Sequence, residues 1–218
     1  MNPTPWHEGP TALDLASGRG WAWIGLRSGD GFHRLHGETL VALDRLFIEL
    51  RWAGVRRLAL SGAAWMTGMG RHFCAGADLH EVGALTAVTA EPFARRGQQV
   101  MRHLLWPGWR TLTLGSGVAM GGGCDLLLHG QERWAVTGLR MAHPAAKHGI
   151  LTGFGGTVRL VELLGEAGAD RLFADLEHWD EARALEAGAV QRVLAPDAAG
   201  AAVAEWLSGP GRRAPGAR

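Results

Sequence analysis

Residues 117–125 read GVAMGGGCD and stand between two apolar segments of the chain. Before them, Leu112 and Leu114 alternate with threonines, a period of two that predicts a β-strand. After them, Leu126–Leu128 is apolar but too short to classify by periodicity. A strand that leads into a glycine run and an apolar segment suggests backbone N–H groups at the start of a helix, where free donors and the helix dipole stabilise negative charge. A glycine run alone more often marks a tight turn or close packing, because glycine has no Cβ.

A second glycine-containing stretch, FCAGADL at Phe73–Leu79, follows the apolar run Leu58–Leu60 and the loop Ser61–His72. Taken together, the two stretches resemble the crotonase family, also called the enoyl-CoA hydratase/isomerase superfamily. The likeness runs from about Trp21 to Leu194, in the family's order and at compatible spacing. It implies an α/β fold whose crotonase-like core is a spiral of ββα repeats, with a short, truncated C-terminal helical region.

The resemblance also implies how a substrate is held. In the family, each of the two stretches supplies one backbone N–H to an oxyanion hole for a thioester carbonyl. Matched residue by residue, these donors are Ala77 and Gly122. The substrate implied is an acyl-CoA, with no separate cofactor. Its further binding positions, taken from the two motifs and from the segment HPAAKHG at His143–Gly149, are Ala75, Gly76, Asp78, Leu79, Gly121, His143 and Ala145.

Hydratases of this family use two carboxylates, which move water and a proton between Cα and Cβ. The first follows the G-G-G-C segment and is Asp125 here, whereas the second lies in a P-E-x-x-x-G segment, in which this sequence has Ala145 after Pro144. The second carboxylate is therefore absent. Its loss argues against ordinary two-carboxylate hydration, since a general acid or base contributes ~10²–10⁴ in rate. The family's simplest isomerases depend on the same lost position. Asp125 remains as a sole base or water-positioning group, or as a first-turn carboxylate stabilised by the helix dipole.

Three histidines are further candidates for acid–base work, because imidazole titrates near neutrality. His143 and His148 bracket the loop of the lost carboxylate. His80 follows the FCAGADL turn, at a position that in the family lies nearer the CoA nucleotide. A lone loop histidine is more often solvated or bonded to the backbone. No metal set is evident, as neither cysteines nor paired carboxylates accompany His143 and His148.

The leading interpretation of function is an acyl-CoA thioester-processing enzyme, a lyase or isomerase of fatty acid metabolism, that acts through an enolate stabilised by the oxyanion hole. One alternative is a non-catalytic homologue that binds acyl-CoA or a partner subunit. Another is an acyl-CoA hydrolase or decarboxylase, with hydrolysis through Cys74 or through water held by Asp125. Cys74 and Cys124 both lie inside the two motifs, where a small buried residue is the simpler interpretation.

The composition is typical of one folded domain. The 218 residues suffice for one sizeable core. We expect a loose lead-in at 1–18, a single crotonase-like domain at 19–208 and a disordered tail at 209–218. The net charge of +1 provides no general attraction to nucleic acid or to an anionic membrane. The sequence has neither an apolar run of about 18 residues nor a signal-peptide core, which predicts a cytoplasmic protein.

The family resemblance implies a homo-oligomer, a trimer or hexamer. In the family the chain normally continues into a helical lobe that helps to cover the acyl pocket and to build trimers. Most of that lobe is missing from this sequence, which predicts a pocket that is more open or is completed by a neighbouring subunit.

Hydrophobic periodicity, caps and breakers predict the regular elements. The strands are expected at Trp21–Leu26, Val55–Leu60, Thr111–Leu114, Arg133–Val136, Arg140–Ala142 and Val190–Leu194. The helices are expected at Glu38–Ala53, Asp78–Leu85, Glu91–Leu105, Thr157–Leu164, Ala167–Leu176, Glu181–Ala187 and Ala199–Leu207. Gly149–Gly156 is expected to be a flexible turn. The strand–helix–strand order at the start favours parallel pairing with a right-handed crossover.

Overall fold

The computed structural model describes residues 2–66, 71–174 and 176–209, apart from the side chains of Ala64, Ala146 and His148. Its strands are β1 (Thr4–His7), β2 (Ala12–Gly18), β3 (Trp21–Arg27), β4 (Arg34–Leu35), β5 (Arg57–Gly62), β6 (Gly76–Ala77), β7 (Arg110–Gly115), β8 (Val118–Met120), β9 (Glu132–Val136), β10 (Arg140–Ala142), β11 (Trp179–Asp180) and β12 (Arg192–Leu194). Its α-helices are α1 (Gly37–Trp52), α2 (Leu79–Gly83), α3 (Ala90–Leu104), α4 (Gly122–Leu128), α5 (Gly156–Phe173), α6 (Glu181–Glu186) and α7 (Pro196–Ser208). Short 3₁₀ turns cover Ala63–Met66 and Pro144–His148.

Within the described residues, the main sheet has seven strands in the order β1-β2-β3-β5-β7-β9-β12. The first three pair antiparallel, and from β3 to β12 each neighbouring pair is parallel. From β5 onward, every main-sheet strand up to β9 is followed by a short strand in a smaller sheet, which gives the pairs β5–β6, β7–β8 and β9–β10. A helix follows each pair before the chain returns to the main sheet or ends its spiral. The predicted α/β fold with a spiral of ββα repeats is therefore confirmed.

The alternation along β5 shows why the sheet carries a core on both faces. Leu58 and Leu60 pack into a large cluster with the apolar stripe of α1 and with α3 and α4. Ala59 points to the other face, where it joins a smaller cluster that includes Val203 and Leu207 of α7. Such period-two alternation lets one strand serve two layers. Among the described residues, no helix has both the length and the apolar character needed to cross a bilayer.

The beginning of the chain differs from the prediction. Residues 1–18 were expected to be a loose lead-in, but β1 and β2 occupy most of the part described and extend the main sheet. The short apolar pattern around Leu13 and Leu15 becomes a strand because β3 supplies an antiparallel partner along its whole length. Gly20, with a φ of +79°, makes the tight turn between them. A local sequence pattern does not reveal that a neighbouring strand is available for pairing.

Later elements agree more closely with the prediction. The helices expected at Thr157–Leu164 and Ala167–Leu176 form one element, α5, which is interrupted at Gly165 by a non-helical conformation. The expected N-cap Asp180 accepts a hydrogen bond from the backbone N–H of Arg183 at 2.8 Å. Apart from Gly209, the tail predicted at 209–218 lies outside the described residues.

The two glycine stretches of the sequence pack backbone against backbone. The N–H of Cys74 donates to the carbonyl of Val118 at 3.0 Å, and the N–H of Met120 donates back to the carbonyl of Cys74, also at 3.0 Å. A Cβ on Gly123 would lie under 3.0 Å from the Cys74 carbonyl oxygen, and one on Gly76 would lie 2.5 Å from that of Met120. Gly76 also has a φ of +89°, which favours glycine. The glycines therefore allow β6 to lie directly against the start of α4.

We predict that Gly123→Ala destabilises the protein although alanine favours helices. Alanine in a helix interior is normally better than glycine by about 0.5–1 kcal/mol. Here the added methyl group must displace backbone of the neighbouring segment, which we expect to lower the free energy of unfolding by about 1–3 kcal/mol. Gly83→Ala, at the end of α2, is the matched control because nothing lies within 4 Å of its Cβ position. Denaturant unfolding of the two variants measures the difference, and equal stabilities would contradict this account of the packing.

Candidate active site

A cavity of about 310 Å³ lies where α2, α3, the start of α4 and the segment 143–154 meet. Its wall is formed by Ala75, Gly76, Ala77, Leu79, Val82, Leu85, Ala90, Phe93, Ala94, Gly121, Gly122, His143, Pro144, Ala145, Ile150, Leu151, Thr152, Gly153 and Phe154. Apolar residues and backbone dominate this wall. Among the described residues that form it, His143 is the single titratable side chain and no carboxylate is present.

Two backbone nitrogens come together on this wall. Ala77 ends β6, and its nitrogen lies 3.5 Å from the point that a Cβ on Gly122 would occupy. The nitrogen of Gly122 lies 3.0 Å from the corresponding point on Gly76. As the first residue of α4, Gly122 has an N–H with no acceptor inside its own helix. The two predicted donors are thus neighbours on one surface of the cavity.

The ends of β8 and β10 bring the segment that begins at His143 next to these donors. β8 and β10 are parallel neighbours, with Met120 paired to Ala142 in register. The N–H of Gly121 donates to the carbonyl of Ala142 at 3.0 Å. Because both strands end here, Gly122 and His143 leave the sheet side by side. Gly121 makes the turn into α4 with a φ of +52°.

Asp125 does not line the cavity. Its side chain is 0% exposed, and it occupies the fourth position of α4. The hydroxyl of Thr152 donates to carboxylate oxygen Oδ2, while Nε2 of His143 lies 3.2 Å from Oδ1. A Cβ on Gly156 would lie under 3.0 Å from Oδ1, so the glycine makes room for the carboxylate. The carboxylate is therefore enclosed by two residues that belong to the cavity wall and does not face the cavity directly.

His143 follows β10 and is 1% exposed. Its ring stacks on Phe173 of α5, with the centroids 4.4 Å apart and the planes 18° from parallel. Nδ1 has no hydrogen-bond partner among the described residues, and Nε2 is close to Asp125 without the alignment of a full hydrogen bond. The stacked ring and the nearby carboxylate fix the position of the imidazole, and neither of its nitrogens makes a full hydrogen bond within the described residues.

The other predicted binding residues divide into two groups. Ala75, Gly76, Leu79, Gly121 and Ala145 all contribute to the cavity wall. Asp78 does not, because its carboxylate caps α2 by accepting a hydrogen bond from the N–H of Glu81 at 3.0 Å. That hydrogen bond lowers the pKa of the Asp78 carboxyl group below its usual range. In the structure Asp78 thus caps a helix and is not part of the cavity wall, and its predicted contact with substrate stays a prediction.

Two of the histidines considered from the sequence contribute nothing to the described cavity. His80 is exposed on α2 and is not part of the wall. The side chain of His148 lies outside the described residues. Within the described residues, no group of three or more histidine, cysteine and acidic side chains is placed to hold a metal ion.

The sequence did not identify the residues that close the cavity from the far side. Thr152 and Phe154 belong to the segment that was expected only to be a flexible turn. Phe154 packs against Phe93 of α3, with ring centroids 5.5 Å apart, and its ring covers the Cα positions of Gly97 and Gly122. A glycine in the middle of α3 was a possible signal, since it has no local reason to be there.

Comparison with known proteins gives this geometry a context. Residues 59–208 match the family model of the enoyl-CoA hydratase/isomerase family. The short-chain-enoyl-CoA hydratase of Clostridium acetobutylicum is 33% identical over 163 residues, which are 74% of this chain and 60% of that protein. The crotonyl-CoA hydratase of Syntrophomonas wolfei is 36% identical over 135 residues, 61% of this chain and 51% of that protein.

A solved structure of DspI from Pseudomonas aeruginosa is similar to this fold with a TM-score of 0.81 at 27% identity. The likeness covers 90% of this chain and 73% of that chain. The chain thus spans between 51% and 60% of the length of the curated relatives named above. Since the family model matches most of its residues, the chain belongs to the enoyl-CoA hydratase/isomerase family, the crotonase family.

Proposed function

We propose that this protein processes acyl-CoA thioesters by hydratase/isomerase-type chemistry, through an enolate whose oxygen is held by the N–H groups of Ala77 and Gly122. The observation that carries the proposal is the convergence of these two nitrogens on one surface of the cavity. When a thioester loses a proton from Cα, negative charge moves to the carbonyl oxygen. Two preorganised donors stabilise that charge, and the loss of one such donor typically costs ~10²–10³ in rate.

The size and lining of the cavity favour a short acyl group. Its volume of about 310 Å³ is near the lower end of the roughly 300–1,000 Å³ that is usual for small-molecule sites. Leu85, Phe93 and Phe154 provide an apolar surface for a hydrocarbon chain. The names of two relatives, a short-chain-enoyl-CoA hydratase and a crotonyl-CoA hydratase, support the same class of substrate. The trimer or hexamer and the cytoplasmic location expected from the sequence stay predictions.

The proposal predicts polarisation of a bound carbonyl. Crotonyl-CoA labelled with carbon-13 at its thioester carbonyl should bind, and its C=O stretching frequency should fall, because two N–H donors draw charge onto the oxygen. Isotope-edited infrared spectroscopy measures this shift. A thioether analogue of equal length has no carbonyl oxygen and should bind more weakly. A bound thioester that absorbs as it does in free solution would refute the oxyanion hole.

A binding protein without catalysis is the second candidate, and the lack of a carboxylate on the described cavity wall favours it. Incubation with a panel of enoyl-, malonyl- and aryl-CoA esters, followed by mass spectrometry, separates the two candidates. Turnover of any ester sets the binding-only function aside. The mass of the product then distinguishes hydration, decarboxylation and hydrolysis.

We predict that Ala145→Glu restores little hydratase activity. Ala145 lines the cavity where the family's second carboxylate is expected, but Asp125, its partner, faces Thr152 and His143. One new side chain then lacks the geometry on which a gain of ~10²–10⁴ depends. Crotonyl-CoA hydration in Ala145→Glu should therefore resemble that in Ala145→Gln, which has the same length without the charge. A large gain in the glutamate variant alone would identify the chain as a hydratase scaffold that has lost one group.

Hydrolysis through Cys74 is not supported by its surroundings. The residue is 0% exposed, is not part of the cavity wall, and its thiol contacts the carbonyl of His33 at 3.0 Å. Burial raises the pKa of the Cys74 thiol to about 12, and burial also raises that of Cys124 well above its usual value. Neither thiol is therefore prepared to act as a nucleophile near neutral pH.

We predict that neither cysteine reacts with thiol reagents in the folded protein. A raised pKa keeps the thiolate fraction negligible at mildly alkaline pH, and burial prevents access. Mass spectrometry after treatment with an alkylating reagent should show unmodified native protein, whereas both residues should react after unfolding in guanidinium. Rapid modification of native Cys74 together with loss of turnover would restore the nucleophile hypothesis.

A further inference from the structure

A second cavity, of about 360 Å³, adjoins the one described above. Residues 152–154 contribute to the walls of both cavities, and the rest of the second wall comes from α3, from the end of α4 and from the beginning of α5. Its charged and titratable side chains, among the described residues, are Arg102, His129, Arg159 and Glu162. The proposed thioester chemistry uses none of these four groups.

Helix α5 begins in this second cavity with free backbone donors. Gly155, the residue before the helix, has a φ of +94° and provides no side-chain cap. The N–H groups of Gly156, Thr157 and Val158 have no acceptor among the described residues, and the first turn contains no acidic side chain. Free donors and the helix dipole attract an anion to such a helix start, although that alone does not make a binding site.

His129 provides an independent observation at the same place. It is 5% exposed, and its Nδ1 lies 2.7 Å from the carbonyl oxygen of Asp125. Because a carbonyl oxygen only accepts, Nδ1 has the hydrogen, and Nε2 has the lone pair of the neutral ring. Nε2 has no hydrogen-bond partner among the described residues, and it lies 3.9 Å from the point that a Cβ on Gly155 would occupy. A buried imidazole thus directs an unused acceptor at the start of α5.

The groups around His129 determine its charge. Burial, the largest cause, lowers the pKa of the imidazole below its usual 6.5, and the positive charge of Arg159 acts in the same direction. Asp125 and Glu162 oppose this shift in pKa, and Arg159 also donates to Glu162 at 3.2 Å. Arg102 adds a further positive charge to the wall from α3. Near neutral pH the cavity therefore combines several donors and positive charge with one acceptor, the neutral His129.

We propose that this second cavity binds a hydrogenphosphate ion. Its unprotonated oxygens accept hydrogen bonds from the N–H groups at the start of α5, and its P–OH group donates to Nε2 of His129. Sulfate has no hydrogen at neutral pH, so one of its oxygens would face the lone pair of Nε2. A phosphomonoester has a second pKa of about 6 and has therefore also lost its last hydrogen at about pH 8. The acceptor thus selects inorganic phosphate among these anions.

The test measures binding by titration calorimetry at about pH 8 and constant ionic strength, with inorganic phosphate, sulfate and glycerol 3-phosphate as separate ligands. Phosphate should bind with a Kd of about 1 mM or below. The other two should bind ~10-fold or more weakly, because each leaves a buried acceptor without a donor. Equal affinity for phosphate and either other anion would indicate only general attraction to positive charge, and would overturn the proposal. Absence of phosphate binding to the folded protein would overturn it too.

A variant of the imidazole tests the role of Nε2. His129→Asn removes Nε2, while the asparagine amide still reaches the position of Nδ1 and donates to the carbonyl of Asp125. Phosphate should bind this variant ~10–10²-fold more weakly. His178→Asn, at an exposed position outside the cavity, is the matched control and should bind like the wild type. A folded His129→Asn with wild-type affinity for phosphate would refute the assignment of Nε2.

Arg102→Gln keeps the proposal testable if His129→Asn does not fold, because Arg102 is exposed. Its loss should weaken phosphate and sulfate by a similar factor of about 2–5, since it removes charge at a solvated position and leaves the acceptor in place. The preference for phosphate should therefore persist in this variant. Loss of the preference in Arg102→Gln would show that charge, rather than the acceptor, distinguishes the two anions.

The pH dependence of sulfate binding gives a further readout. Protonation of His129 converts Nε2 from an acceptor into a donor, so the affinity for sulfate should rise as the pH falls from about 8 to about 5.5. The lowered pKa places this rise at the acidic end of the range. An equal rise in folded His129→Asn would assign the effect to another group and contradict the proposal. All these measurements are made without an acyl-CoA, so their failure leaves the proposed function untouched.

Discussion

Direct contact between the backbone of β6 and the start of α4 is the constraint on which the rest of this site depends. Gly76 and Gly123 have no room for a side chain, because carbonyl oxygens of Met120 and Cys74 occupy the space that a Cβ would need. The same closeness brings the nitrogens of Ala77 and Gly122 to one surface. The close packing therefore also places the two predicted donors side by side, so the interpretation of the glycine run as a close-packing element is confirmed, while its role in stabilising negative charge stays a prediction.

The residues behind the cavity wall are arranged around a buried carboxylate, that of Asp125. Such a group is costly to bury unless hydrogen bonds and charges compensate it. Asp125 finds its partners in Thr152 and His143, which come from segments 18 or more residues further along the chain. Gly156 leaves space for it at the beginning of α5. Thr152 and His143 both contribute to the cavity wall, so the carboxylate lies behind them and does not reach the cavity itself.

Sequence patterns anticipated most of the fold because each element carries its own signal. The apolar stripe of α1, the stop at Gly54 and the alternation in the central strands depend on neighbours a few residues away. The strand Ala12–Gly18 escaped prediction because its stability comes from pairing with β3. The family motifs pointed to the two backbone donors, but they gave no sign that the carboxylate of Asp78 caps α2.

By itself the sequence determined the order of strands and helices, because their signals are local. Through its resemblance to the crotonase family it also predicted the ββα spiral, the two donor positions and the loss of a carboxylate at Ala145. Only the tertiary structure decided which polar groups face the cavity. Asp125 and His143 are 18 positions apart in the sequence. They lie close together because β8 pairs in parallel with β10 and because α5 packs against both residues, through Gly156 on Asp125 and Phe173 on His143. The direction in which a side chain points is a property of its surroundings, and those surroundings are assembled from distant parts of the chain.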